Sequence, residues 1–327
     1  AAETVRLVVA GAEIDDLPTA VGTSPGSETE SWTPLLELRA GGDRPPLVLL
    51  PALGGDVRCY AELAQQLGED QPVYAFRPRG VDQDLPPHLT MEEMIADYAV
   101  ALRDLQPSGP YHLAGWSTGG IYAFALAEAL QQSGELVATV ALFDTPLPSI
   151  CDGVNVEDDA RFLCSLMNFA NRFAGTNVRV EYDKLLALPR DERFPAAIAE
   201  ARREGLIPAD TPEAFIRRIV HVGEANVRVI QGYRVRGIDR PVHLFVPETK
   251  GGLAEVSGNE VPSDEDHGWT SVVGQRVELR TVPGDHFTMM VDSAALLARQ
   301  LRALIDSSNG AGPNERGGQR RQPAATK

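Results

Sequence analysis

The residues best suited to chemistry lie in YHLAGWSTGG, positions 111–120, where Ser117 stands in the pattern G-x-S-x-G. The run before Ser117 is apolar like a buried strand, and IYAFALAEAL after it is typical of a helix. A serine at so sharp a turn takes strained backbone angles, and the turn closes only if its neighbours two positions away lack side chains. Gly115 and Gly119 meet that need. Because the helix N-terminus also stabilises negative charge, we predict a nucleophilic Ser117 rather than an ordinary turn serine.

A serine nucleophile needs a histidine base, and in this kind of fold the order along the chain is Ser, then Asp or Glu, then His. His286 follows the last predicted strand in VPGDH and precedes the final helix, where that order delivers the base. His267, in the acidic loop PSDEDHGW, is the competitor. The other histidines come too early or lie in a strand, a proline-rich stretch or a lid helix: His88, His112, His221 and His243. We predict that His286 is the base.

The acid that orients the base has two candidates. Asp144 ends the apolar run VATVALFD, and Glu248 follows the next predicted strand, HLFVPE. Asp285 is adjacent to His286 and would point away from the imidazole. Spacing favours Asp144 and leaves Glu248 open.

An oxyanion hole would use two backbone N–H groups. One belongs to Thr118, directly after the nucleophile, and the other to the loop LLPALGGD after the first core strand, where we favour Leu53, with Ala52 next. No two histidines have the spacing of a metal-binding helix, so we expect neither a metal nor a bound cofactor.

Composition limits the function classes. The 327 residues are 43% hydrophobic, enough for a sizeable core, and no run is long enough for a membrane span. The net charge of −16 argues against nucleic acid or an anionic membrane as partner. Three widely spaced cysteines, without a CxxC pattern or a secretion signal, indicate free thiols in a reducing cytoplasm.

Alternating apolar runs and helical patterns predict an α/β fold with a mostly parallel sheet. The helices include one that begins after a capping box at Thr90 and Glu93, and others at about 119–132 and 293–305. The predicted strands cover residues 46–51, 72–76, 111–116, 137–143, 241–247 and 276–282.

One segment is too long to be a loop. Between the strands that end at 143 and begin at 241 lie helical patterns at 157–173, 191–204 and 211–235. We interpret them as a helical lid over the carboxyl ends of the strands, the alternative being an extra structural layer. The predicted domains are an N-terminal linker or dimerisation segment, two core parts either side of the lid, and a disordered tail: 1–35, 36–148, 149–238, 239–306 and 307–327.

Five motifs together resemble the terminal thioesterase domain of a modular polyketide synthase, related to those of nonribosomal peptide synthetases, with an α/β-hydrolase fold. The likeness covers about residues 45–306, and its most specific motif is VPGDHFTMM. It implies Ser117 as nucleophile, His286 as base and Asp144 as acid, since the family takes its acid from this earlier strand. Trp116 departs from the pattern, in which His or Tyr is more usual. The other motifs are VLLPALGGDVRCYAELAQQL, VYAFRPRG, YHLAGWSTGG and ALFDTP.

The resemblance implies a substrate and partners. A polyketide chain would arrive as a thioester on the phosphopantetheine arm of an acyl carrier protein, and would leave by hydrolysis, which we favour slightly, or as a macrolactone. The N-terminal segment would pair two protomers. Because a carrier protein is usually acidic, docking would need a local basic patch, for which the candidates are Arg77, Arg79, Arg217 and Arg218.

Two other functions stay open. The nearest is a free-standing carboxylesterase or lipase of the same fold. From a different class, the chain could be a catalytically silent binding module on a hydrolase fold, although all three triad candidates are present.

Overall fold

The computed structural model describes residues 32–250 and 265–310. The predicted pairing segment near the N-terminus, the linker at 22–31 and the tail beyond residue 310 lie outside these ranges. The boundaries of the predicted domains stay predictions.

Seven strands of the described ranges form one sheet in the order β1-β3-β2-β4-β5-β6-β7. β1 runs antiparallel to β3, and every other pair is parallel. This confirms the predicted α/β class, and each of the six predicted strands is present within one residue at either end. The strands are β1 Leu35–Arg39, β2 Leu47–Leu50, β3 Val73–Phe76, β4 Tyr111–Trp116, β5 Val137–Phe143, β6 Val242–Pro247 and β7 Val277–Val282.

The edge strand β1 was not predicted. Its sequence, LLELR, is short, and it gains its strand conformation by pairing with β3. Leu35 is buried in the apolar cluster on one face of the sheet and Leu36 in the cluster on the other. Residue 35, the last of the predicted N-terminal segment, is thus the first residue of this strand.

Helices cover both faces of the sheet. α1 and α10 pack against each other on one face, and α2 and α3 pack together on the other. The predicted capping box is present, since Thr90 Oγ1 accepts a hydrogen bond from the N–H of Glu93 at 3.2 Å. These helices are α1 Ala61–Gln66, α2 Met91–Leu105, α3 Thr118–Gln132 and α10 Ala294–Gly310.

The last helix is longer than predicted. α10 continues to Gly310, past the predicted end at 305 and the predicted start of the tail at 307. The hydroxyls of Ser307 and Ser308 donate hydrogen bonds to the carbonyls of Leu304 and Ile305, which supports this final turn.

The long segment between β5 and β6 contains four α-helices in the described chain, after a short 3₁₀ helix at Pro148–Cys151. The three predicted helices are present within three residues at each end, and the short α5 was missed. Side chains from all four helices form an apolar cluster separate from the two that cover the sheet. The helices are α4 Asp159–Ala174, α5 Tyr182–Leu186, α6 Arg190–Arg203 and α7 Glu213–Gly232; two short ones, α8 Trp269–Val273 and α9 Met289–Asp292, follow later.

Of the helices described, none combines the length and the apolar character that crossing a membrane requires.

A buried tyrosine joins two central strands at their carboxyl ends. The hydroxyl of Tyr60 donates to the carbonyl of Leu50 at 2.6 Å and accepts from the N–H of Trp116 at 2.8 Å. Leu50 ends β2 and Trp116 ends β4. One fully buried hydroxyl therefore sets the spacing of the two strands beneath the turn at Ser117.

We expect Tyr60→Phe to lower the free energy of unfolding by about 1–3 kcal/mol, because it leaves a buried N–H without its acceptor. Urea unfolding measures the loss. Tyr74→Phe is the matched control, since the Tyr74 hydroxyl donates to the half-exposed carboxylate of Glu37 at 3.2 Å. An equal loss in the two variants would contradict the structural role of Tyr60.

Candidate active site

The turn between β4 and α3 holds Ser117 in a backbone conformation that few side chains adopt, with φ 57° and ψ −130°. A Cβ atom at Gly115 would lie 2.2 Å from the carbonyl carbon of Gly119, and one at Gly119 would lie 2.4 Å from the carbonyl oxygen of Leu50. Neither position has room for a side chain. The two glycines are required, as the sequence indicated, because the backbone closes on itself at this turn.

Ser117 and Asp144 leave neighbouring strands at the same edge of the sheet. The N–H of Ser117 donates to the carbonyl of Phe143 at 2.9 Å, and the N–H of Asp144 donates to the carbonyl of Phe245 at 2.7 Å. These bonds extend the β4–β5 and β5–β6 ladders by one step. The sheet therefore sets the separation of the serine and the acid.

The carboxylate of Asp144 is buried and accepts hydrogen bonds from two imidazoles. Its Oδ2 bonds Nδ1 of His286 at 2.7 Å, and its Oδ1 bonds Nε2 of His267 at 2.6 Å. Burial alone would raise the pKa of Asp144, but the bonds from His267 and His286 outweigh it and lower the pKa to about 2. The group is thus ionised near neutral pH, and each facing nitrogen must carry a proton, because a carboxylate only accepts.

The other ring nitrogen of His286, Nε2, does not face Asp144. With a proton on Nδ1, the neutral ring has a lone pair on Nε2, and that buried atom has no hydrogen-bond partner among the residues described. The indole of Trp116 stacks on the imidazole with centroids 4.8 Å apart, and its N–H donates to the carbonyl of His286 at 2.9 Å. Since Trp116 directly precedes Ser117, the unused Nε2 belongs to a ring fixed beside the serine.

These contacts of Trp116 were missed from the sequence, where the residue stood out only as a departure from the family pattern. It also links His286 to the helical segment. Phe169 of α4 contacts Trp116, with ring centroids 6.1 Å apart, and Phe287, with ring centroids 5.4 Å apart. No local pattern could indicate these contacts, because the three rings come from distant parts of the chain.

The sequence treated His267 as a rival of His286, and Glu248 as a rival of Asp144. The structure instead brings both histidines to Asp144. Glu248 is exposed at the end of β6, and its N–H bonds the carbonyl of Val282.

Strained backbone concentrates at this site. Within the described ranges, the non-glycine residues with positive φ are Ser117 at 57°, Asp144 at 43° and His267 at 52°. Such conformations cost energy and persist where the surrounding structure determines them, most often at functional sites.

The two predicted oxyanion donors, Thr118 and Leu53, line the same cavity as Ser117. Thr118 is the first residue of α3, where a backbone N–H has no partner within the helix. Leu53 follows β2, and its carbonyl accepts a hydrogen bond of 2.7 Å from Asn226 of α7. The second choice, Ala52, lines this cavity as well.

That cavity has a volume of about 520 Å³ and lies between the core and the helical segment. Most of its lining side chains are apolar, and they come from α4, α7 and the loops after β2 and β5. Polar groups are fewer, and include Asp56, Arg58 and Ser165. Its apolar walls include Ile150, Phe162, Leu166, Met167, Phe215 and Ile219.

The four predicted docking arginines differ in their surroundings. Arg77 forms an ion pair with Asp82, and Arg218 donates to the carbonyl of Val81 at 2.9 Å. Both are engaged with the loop after β3. Arg217 is more than half exposed and pairs with Glu213 at 2.7 Å. The remaining candidate, Arg79, is half-buried.

A mostly parallel sheet, a serine on a strand-to-helix turn, and an acid–histidine pair at the carboxyl ends of the strands define a serine hydrolase of the α/β-hydrolase class. Residues 45–305 match the family model described as "Thioesterase domain". The chain belongs to this family.

Two curated relatives are larger proteins. The dimodular nonribosomal peptide synthase of Bacillus subtilis (strain 168) is 33% identical over 220 residues, which cover 67% of this chain and 9% of that protein. The atromentin synthetase of Tapinella panuoides is 26% identical over 264 residues, which cover 81% of this chain and 27% of that protein. The chain thus spans less than a third of either relative.

Solved structures agree with the fold. The holo form of AB3403, a four-domain nonribosomal peptide synthetase bound to AMP and glycine, aligns with a TM-score of 0.70 and 25% identity, over 86% of this chain and 20% of that one. The Vlm2 thioesterase domain bound with a dodecadepsipeptide aligns with a TM-score of 0.58 and 21% identity, over 82% of this chain and 96% of that one. The polyketide synthase named in the resemblance is not supported, because the relatives described here include nonribosomal peptide synthetases and no polyketide synthase.

We expect Asp144→Asn to lower kcat by about 10³-fold or more, because an amide fixes neither the tautomer of His286 nor the charge that forms on it. Turnover of a thioester measures the loss. Glu248→Gln is the matched control and should keep wild-type activity, since Glu248 is exposed. If Glu248→Gln is the inactive variant, Asp144 is not the acid.

Proposed function

We propose that this domain releases an acyl chain from the phosphopantetheine arm of a carrier protein through an ester on Ser117. The observation that supports this most directly is the position of Ser117, on a strained turn that opens into an apolar cavity of about 520 Å³. Such a cavity suits an acyl chain, and the family match supports a thioester as the bond cleaved.

In the first step Oγ of Ser117 attacks the thioester carbonyl carbon, and its proton passes to Nε2 of His286. The carbonyl electron pair moves onto oxygen, where the N–H groups of Leu53 and Thr118 stabilise the negative charge. When that pair returns, the C–S bond breaks and the sulfur leaves with the proton from Nε2. Asp144 keeps Nδ1 protonated and stabilises the imidazolium, without taking the proton itself.

The second step frees the chain. Water gives a proton to Nε2 of His286 as its oxygen bonds to the acyl carbon, and Oγ of Ser117 then leaves with that proton. The product is an acid. A hydroxyl of the chain itself would give a lactone by the same proton transfers. We propose hydrolysis, and the polar groups Asp56, Arg58 and Ser165 in the cavity wall offer water places to bind.

The assembly line that supplies the chain is proposed from the relatives. The names of the Bacillus subtilis protein and of AB3403 favour a nonribosomal peptide synthetase over the polyketide synthase first expected. The cavity wall favours a chain rich in apolar groups, because Phe162, Met167 and Phe215 offer little to a strongly polar one. We therefore propose a mainly apolar peptidyl or acyl thioester.

Two alternatives are disfavoured. A carboxylesterase of the same fold would share the triad, but the family model matched is that of thioesterases. A silent binding module would have lost a triad member, whereas Asp144 and His286 form a short hydrogen bond beside an intact turn at Ser117.

We expect mass spectrometry to detect an acyl adduct on Ser117 after mixing with a long-chain acyl thioester of a pantetheine mimic. The thioester should turn over faster than the matching oxygen ester, and the product should be the free acid. Ser117→Ala should abolish the adduct, whereas Ser165→Ala, a serine in the wall of the same cavity, should keep it.

Each other outcome has a definite meaning. If neither ester leaves an adduct or turns over, the result favours the silent binding module. A preference for the oxygen ester would favour an esterase, and a lactone as product would replace hydrolysis by cyclisation.

We propose that carrier docking uses Arg217, because its side chain is more exposed than those of Arg77 and Arg218. We expect Arg217→Glu to raise KM about 2- to 5-fold for a carrier-bound thioester and to leave KM for the pantetheine mimic unchanged. Arg276→Glu, in the turn before the edge strand β7, is the control and should change neither. An equal effect on both substrates would contradict docking.

A further inference from the structure

Asp144 is shared between two histidines, of which the proposed reaction uses one. In the part of the chain that the structure describes, the hydrogen bonds to its carboxylate come from His286 on Oδ2 and His267 on Oδ1. The bond to His267 is the shorter, at 2.6 Å against 2.7 Å. With 2% of its surface exposed, Asp144 has little access to water, so His267 supplies what solvent would otherwise give to Oδ1.

The turn at residues 266–269, which carries His267, is bonded to the chain just after Asp144. The indole N–H of Trp269 donates to the carbonyl of Thr145, the residue after Asp144, at 2.8 Å. On the other side, the carboxylate of Asp266 accepts from the N–H of Gly268 at 3.0 Å and of Thr270 at 2.6 Å. His267 thus lies between two anchored residues, and it keeps a φ of 52° that a free loop would relax.

The tautomer of His267 follows from the charge of its partner. Oδ1 of the ionised Asp144 can only accept, so Nε2 of His267 carries the proton. Its Nδ1 is buried and has no hydrogen-bond partner among the described residues. A neutral ring leaves only a lone pair at that atom, whereas a charged ring would leave a buried N–H without an acceptor. Neutral His267 is therefore a donor towards Asp144 and not a second base for Ser117.

We propose that His267 is a positioning residue for the reaction at Ser117: its Nε2–H holds Oδ1 of Asp144 so that Oδ2 faces His286. Without that bond the carboxylate can rotate about its Cβ–Cγ axis, and its hydrogen bond with His286 is then poorly aligned. The proton on Nδ1 of His286 is then less well fixed, and its Nε2 is less often aimed at Ser117. The proposal rests on the triad set out above.

The test compares two substitutions at one position. His267→Leu removes the N–H donor and replaces the imidazole by an apolar side chain of similar bulk. His267→Gln keeps an amide N–H that can reach the place of Nε2. We expect kcat for the thioester to fall about 10- to 100-fold in the Leu variant with KM unchanged, and to recover to within about threefold of wild type in the Gln variant.

His88→Leu is the matched control. His88 also bonds a carboxylate, that of Asp97 at 2.9 Å, and is buried, but it does not line the cavity at Ser117. This variant should lose stability and keep kcat. Thermal unfolding of all the variants separates a loss of folded protein from a loss of rate.

A double-mutant cycle shows whether His267 acts through Asp144. The rate at which a fluorophosphonate labels Ser117 is measured in wild type, His267→Leu, Asp144→Asn and the double variant. If His267 works through Asp144, His267→Leu changes the rate by no more than about twofold once Asp144 is Asn. This readout needs no thioester, so it can be made even if the proposed substrate is wrong.

The outcomes distinguish the ideas. The proposal is overturned if His267→Leu labels as fast as wild type, if the two losses add in full, or if Gln is as slow as Leu. If Asp144→Asn itself labels at the wild-type rate, the triad fails and this proposal fails with it. If labelling follows the cycle but no thioester turns over, only the proposed function fails.

Discussion

The rest of this site depends on one buried negative charge, the carboxylate of Asp144 at the carboxyl ends of the strands. The Asp144 carboxylate is almost inaccessible to water, and such a group is tolerable only where donors replace the lost hydration. The imidazoles of His267 and His286 are these donors, and each therefore carries a proton on the nitrogen that faces Asp144. The charge on Asp144 therefore sets the tautomers of His267 and His286.

The sheet fixes the positions of Ser117 and Asp144 relative to each other. β4 and β5 are neighbours, and one further hydrogen bond beyond each strand carries the backbone into Ser117 and Asp144. Beneath them the hydroxyl of Tyr60 joins β2 to β4, so the loop after β2 and the turn at Ser117 share an anchor. Two of the three strained residues, Ser117 and Asp144, directly follow parallel strands, so the rigid sheet holds their backbone in place.

Much of this could be predicted, and the failures share a cause. Apolar runs located six of the seven described strands, and G-x-S-x-G between a strand and a helix located the turn, because both signals are local. The edge strand β1 was missed since only its pairing with β3 makes LLELR a strand. The contacts of Trp116 with His286 and of His267 with Asp144 join residues more than a hundred positions apart. A single sequence offered His267 as an alternative to His286, whereas in the folded chain both histidines bond Asp144.

The helical segment over the cavity has a cluster of buried side chains of its own, separate from the two that cover the sheet. The side chains that pack only within this cluster can therefore vary, and with them the shape of the cavity, without disturbing the sheet beneath. Other side chains of the segment join it to the core: Phe162 and Val227 belong to a cluster that covers the sheet, and Phe169 contacts both Trp116 and Phe287. An engineer who exchanges such segments between members of this family should leave Phe162, Phe169 and Val227 in place.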